Sequence, residues 1–161
     1  MEASSEYPGV TVGEGYAVGN LDDLGDAPGF RKIRKGLGVT AFGVNAIVMP
    51  PRIESGFHFH ETQEELYFVH KGTLEIEFGD GTVHTLREGG MARVDAHTVR
   101  LIRNVGEDEA IYVCAGGKDG YVGRDGRVPE GEEAHAVRAL HDLGGASSGD
   151  PASGDPASGA A

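Results

Sequence analysis

The stretch GFHFHETQEELYFVHKG, residues 56–72, sets two histidines two positions apart and a pair of glutamates just behind them. Successive side chains of a strand leave on opposite faces, so His58 and His60 share one side while Phe57 and Phe59 take the other. Two strand rises separate the imidazoles by roughly 6.5 Å, close enough to converge on one cation. Glu65 follows the polar turn ETQE at the head of a second strand and shares its face with Tyr67 and Val69. A hairpin returning that strand beside the first is expected to bring the Glu65 carboxylate next to the imidazoles. Two histidines and one carboxylate form a facial donor set that leaves positions open on Fe(II), Mn(II), Ni(II) or a similar ion. A lone His-x-His is common, and histidines on half-buried strands usually just hydrogen-bond their neighbours. The following glutamate and the strand–turn–strand context separate this stretch from that background.

Strand signals continue on both sides. GVTAFGVNAIVMPP ends in two prolines that stop a strand. In TLEIEF the apolar Leu74, Ile76 and Phe78 alternate with Thr73, Glu75 and Glu77, the mark of a half-buried strand. Gly79-Asp80-Gly81 gives a tight hairpin. MARV, TVRLIRN and EAIYVCAGG supply three more strands, the last two joined through Val105-Gly106-Glu107-Asp108. Twenty-seven glycines supply the turns that many short strands need. The one helical candidate is residues 129–143, where Val137, Leu140 and Leu143 recur every third position. The pattern predicts an all-β sandwich or closed barrel.

At 161 residues the chain fits one domain with a real core. A net charge of −12 argues against nucleic acid and anionic membranes, both of which need clustered cations. The local exception, FRKIRKG at 30–36, reads as a solvated edge strand or loop. No apolar run approaches about 18 residues, so no membrane span is expected. The N-terminus MEASSEYPG lacks an apolar segment of the secretory type, and the single cysteine, Cys114, permits no internal disulfide. A cytoplasmic location follows as the expectation. We read residues 1–27 as a partly disordered arm, 28–118 as the barrel and 119–143 as an extension packing on it. Residues 144–161, which repeat GDPAS, read as a disordered tail.

At this point the sequence resembles the cupin family. That family's first motif runs from a glycine to His-x-His, three or four residues, Glu, six residues and Gly. Here the run is His58, His60, four residues, Glu65, six residues and Gly72, with Gly56 closer to His58 than the motif's leading glycine. The match selects Glu65 over Glu64, which falls on the opposite face. The second motif runs Gly, five residues, Pro-x-Gly, two residues, His, three residues, Asn. Its counterpart is Gly89 or Gly90, Asp95-Ala96-His97, two residues, Arg100, three residues and Asn104. The family's third metal-binding histidine therefore falls on Arg100. The resemblance covers about residues 40–116 and implies a jelly-roll barrel (double-stranded β-helix), a divalent transition metal (Fe, Mn, Ni or Zn) or none, a small-molecule ligand and a homodimer.

Arginine keeps its proton in a protein and is no ordinary metal ligand. Arg100 shares parity with Thr98, Ile102 and Asn104 and is expected to point inward, where a guanidinium needs a partner, Glu65 by preference. Three arrangements follow. A metal sits on His58, His60 and Glu65 while Arg100 receives an anionic substrate; Arg100 replaces the metal and pairs with Glu65; or His97 swings in as third ligand. Tyr67 is a second candidate for contact with substrate, core packing being the plainer role. His70 reads as a surface residue and Cys114 as a buried small hydrophobe. The functional expectation is a metal-binding cupin for a small polar or anionic molecule, of oxygenase or isomerase type if it is an enzyme. The alternative is a metal-free binding or sensing module built on the Arg100–Glu65 pair.

Overall fold

Along Glu64–Lys71 the side chains at 65, 67 and 69 are buried and those at 64, 66, 68, 70 and 71 are exposed, so the sequence alternation becomes a strand with one wet face. The computed structural model describes residues 6–26 and 28–132. In chain order the strands are β1 (Thr11–Gly13), β2 (Tyr16–Val18), β3 (Gly29–Arg31), β4 (Gly43–Met49), β5 (Phe59–His60) and β6 (Glu64–Lys71). They continue with β7 (Leu74–Phe78), β8 (Val83–Leu86), β9 (Met91–Val94), β10 (Arg100–Asn104), β11 (Ala110–Gly117) and β12 (Gly126–Arg127). A 3₁₀ turn at Leu21–Leu24 and one helix, α1 (Ile33–Leu37), complete the described elements.

Two antiparallel walls enclose the interior. One is the five-stranded sheet β3-β4-β11-β6-β9. The other begins as β8-β7-β10 and continues through bridges from Glu54 to Arg103 and from His58 to Arg100 into β5, which pairs β12. Ile47, Met49, Tyr67, Val69, Val94, Tyr112 and Cys114 meet Leu74, Ile76 and Ile102 in one apolar core between them. The motif glycine Gly72 has φ +83°, and a Cβ on it would stand 2.9 Å from the Ala110 Cβ, so the β6–β7 turn takes no side chain there.

Two sequence expectations need correction. No hairpin joins β5 to β6: β5 pairs β12, and β6 lies between β11 and β9 on the opposite wall. FRKIRKG forms the end of edge strand β3 but then turns into α1, whose five residues span fewer than two turns and leave no legible period. Within the arm read over residues 1–27, β1 pairs β2 as Thr11↔Val18 through Gly13↔Tyr16. Most of the 129–143 helical candidate and all of 144–161 lie outside the described residues. Among the described residues no helix is long and apolar enough to cross a membrane.

Candidate metal centre

Each wall contributes half of the centre. His58 and Arg100 exchange backbone hydrogen bonds, N to O, at 2.9 Å in both directions, which makes them cross-strand neighbours. The His60 amide donates to Ala96 O at 2.8 Å and holds the second histidine on the same wall. Glu65 and Tyr67 face them from β6. His58, His60, Glu65 and Arg100 are all buried, with His60 and Arg100 at 0% exposure. One potential ligand atom from each of His58, His60 and Glu65 lies within 4.8 Å of the others. The two imidazole centroids are 5.8 Å apart and their planes cross at 85°.

The hydrogen bonds divide the Glu65 carboxylate in two. Oε2 accepts from Tyr67 OH and, at 2.7 Å, from Arg100 Nη2. Arg100 Nε donates to Tyr67 OH at 3.1 Å, and Nη1 donates to Thr98 O at 2.8 Å and Ala96 O at 3.2 Å. All three guanidinium nitrogens are thereby engaged by protein groups. Oε1 lies 3.2 Å from His60 Nε2, but the contact lacks hydrogen-bond geometry and neither buried atom has another partner. His58 Nδ1 donates to Gly56 O at 3.3 Å, because a carbonyl can only accept, and this leaves the His58 Nε2 lone pair open.

Charge states follow from burial and neighbours. Burial, with the Arg100 cation beside it, lowers the His58 pKa to about 3, so the ring is neutral at physiological pH. For Glu65 burial acts upward, but the His60 ring and Arg100 outweigh it and bring the carboxyl to about 2. Burial raises the Tyr67 phenol well above its ordinary value. Arg100 is held as a cation: burial acts against it, and Tyr67 and Glu65 prevail. A neutral imidazole lone pair, an ionised carboxylate oxygen and two buried polar atoms facing each other unpaired fit a divalent transition ion.

The other expected residues fall as follows. Glu64 is exposed and pairs Arg93 at 2.6 Å. His97 lies exposed in a turn, outside the donor cluster. His70 is exposed, and Cys114 is buried with its thiol pKa pushed up by that burial. Sequence reasoning missed Gln63 and Asp125. Gln63, at 0% exposure, places Nε2 3.0 Å from His60 Nδ1, and its backbone amide donates to Asp125 Oδ2 at 2.8 Å. A contact spanning 62 residues leaves no local signal.

Two antiparallel walls around an inward-facing His-His-Glu cluster define the class as a double-stranded β-helix protein. Residues 45–116 match the family model for the Cupin domain, so the chain carries a cupin domain there. A cupin protein from Bacteroides fragilis aligns at 22% identity and TM-score 0.56, covering 65% of this chain and 86% of its own. A sugar phosphate isomerase of the cupin superfamily from Silicibacter pomeroyi aligns at 23% identity and TM-score 0.53, covering 68% of each chain. Likeness at these identities shows the shared fold. No curated protein matches the sequence.

Proposed function

We propose that the protein binds a divalent transition metal through His58, His60 and Glu65, and with it a small polar or anionic molecule. The observation that carries this reading is the pair of buried, unpartnered atoms, His60 Nε2 and Glu65 Oε1, beside the open lone pair of His58. Arg100 and Tyr67 occupy the other carboxylate oxygen, so they aim Oε1 without taking it. A bound ion would supply Lewis-acid polarisation of its ligand. The charge balance favours an anion as that ligand. A divalent cation, one carboxylate and one guanidinium sum to an excess of two positive charges in a buried place, which an anionic ligand offsets. We place this function in the cytoplasm.

Metal analysis of protein purified without chelator or affinity tag tests the reading. The expected result is stoichiometric transition metal, or a rise in melting temperature on adding Fe, Mn, Ni or Zn. Neither effect appearing would overturn it. One observation favours the metal-free alternative: the Arg100–Glu65 ion pair, at 2.7 Å and with Tyr67 attached, is already complete. Under that reading the protein is a binding or sensing module, and added metal leaves its melting temperature unchanged.

The proposal includes a second copy of the chain. Phe68 and Met91 are cross-strand partners on the outer face of the larger sheet, 39% and 63% exposed, with Leu66 beside them at 46%. Contiguous exposed apolar side chains of this kind mark an interface. Light scattering should give a dimer that Phe68→Glu converts to a monomer; a monomeric wild type removes this part of the proposal.

A further inference from the structure

Gln63 and Asp125 have no place among the proposed ligands, yet both are built against His60. The Asp125 carboxylate accepts from the Thr62 amide at 3.0 Å, the Thr62 hydroxyl at 2.9 Å and the Gln63 amide at 2.8 Å. The Glu61 amide donates to Asp125 O at 3.1 Å, Gly126 pairs His60 across β12 and β5, and Arg127 reaches Glu61 at 3.1 Å. The turn 61–63 is therefore clamped along its length by residues 125–127. From the other side, Gly116 lies close. A Cβ there would come within 3.1 Å of Glu65 Cγ and 3.4 Å of Gln63 Cδ, so the Gln63 side chain rests against bare backbone.

The clamp holds the Gln63 amide against His60 Nδ1 at 3.0 Å. Asp125 Oδ2 lies 3.7 Å from the same nitrogen, too far for a hydrogen bond, and its lone pairs are engaged by backbone amides. The amide thus decides what Nδ1 does. Its two ends are alike in shape and opposite in polarity. With the NH2 end at Nδ1, that nitrogen accepts and the ring proton sits on Nε2, toward Glu65 Oε1. With the oxygen end at Nδ1, that nitrogen donates and the Nε2 lone pair opens toward the centre. A carboxylate at 63 would serve just the second setting, and an aliphatic side chain neither.

We infer that Gln63, anchored through Asp125, is the positioning residue that lets His60 hold either tautomer: Nε2–H in the metal-free centre, Nδ1–H when a metal takes Nε2. The inference rests on the metal reading above for its second setting only. It extends the centre to residue 125, beyond the matched family domain that ends at 116.

Long-range ¹H–¹⁵N spectra of the full chain, metal-stripped and then titrated with Zn²⁺, read the tautomer of His60 directly. We expect Nε2–H without zinc and Nδ1–H with it. Gln63→Met should weaken Zn²⁺ binding by about 10–100-fold and leave metal-free His60 as a mixture of tautomers. Nδ1–H in the metal-free wild type overturns the inference, and that result needs no variant. So does Gln63→Met binding Zn²⁺ within about twofold of wild type, since partners of ligating histidines ordinarily cost more than that. A wild type that takes no Zn²⁺ fails the metal reading and the second setting with it, while its metal-free spectrum still decides the first.

Discussion

Arg100 and Arg103 stand three residues apart on β10, on opposite faces, and both meet carboxylates. Arg103 leaves 27% of its side chain exposed and reaches Glu77 at 2.6 Å and Glu54 and Glu75 at 3.4 Å. Arg100 is 0% exposed and has a single carboxylate partner, Glu65. By number of partners the outer arginine is better served, but the energetics run the other way. Water and salt screen the outer network, and such pairs contribute about 0–1 kcal/mol. The inner guanidinium was taken out of water, so removing its one counter-charge strands a buried cation. What matters to stability is how much solvent each charge gave up, and Arg100 gave up all of it.

The largest expected effect tests that difference head-on. Glu65→Gln in metal-free protein should lose about 3–5 kcal/mol of stability in urea denaturation, because Arg100 keeps its charge without an ionic partner. A loss no larger than that of Arg103→Ala would break the comparison.

Acid comes next. His58 has a folded pKa of about 3 against 6.5 for the free side chain, so below about pH 6.5 the unfolded chain takes up a proton that the folded one refuses. Stability of the metal-free protein is therefore full above pH 6.5 and falls toward pH 3, with about 2 kcal/mol gone between pH 7 and pH 5. Glu65, depressed to about 2 from 4.5, adds a further loss that starts only below about pH 4.5. A denaturation midpoint that is flat between pH 7 and 5 would contradict the buried, neutral state of His58.

Tyr67→Phe sharpens the comparison within the inner cluster. It removes the acceptor of Arg100 Nε and a donor to Glu65 Oε2 while the ion pair stays, for an expected cost of about 1–2 kcal/mol. A cost equal to that of Glu65→Gln would mean that the phenol, and not the charge pair, organises the centre. The smallest effect belongs to the outer face: Arg103→Ala should cost under about 1 kcal/mol and less still in high salt.

Much of this centre was legible from residue parity. Strand alternation alone puts 58 with 60, 65 with 67, and 100 with 102 and 104, and each of those side chains is buried. The all-β fold was legible for the same reason. Which strands touch was not: the local reading made β5 and β6 a hairpin, whereas the carboxylate arrives from the opposite wall. Face depends on a residue's own strand, but pairing depends on contacts far along the chain, and β5 finds its partners at Arg100 and Gly126. The role of Arg100 stayed divided because parity gives direction and says nothing of how many acceptors wait there. Ala96 O and Thr98 O, backbone groups with no trace in the sequence, complete its shell. Gln63 hid inside a polar turn that looked like solvent-facing punctuation.

Because Asp125 follows Gln63 by 62 residues, the order of synthesis bears on how the centre comes together. At roughly 5–20 residues per second, the two imidazoles leave the ribosome several seconds before the strand that locks their turn in place. During that interval the nascent chain carries His58 and His60 without their finished surroundings. Under the proposed metal reading, an ion captured so early would be held by a half-built cradle, and selective loading would wait until the last described strand had docked.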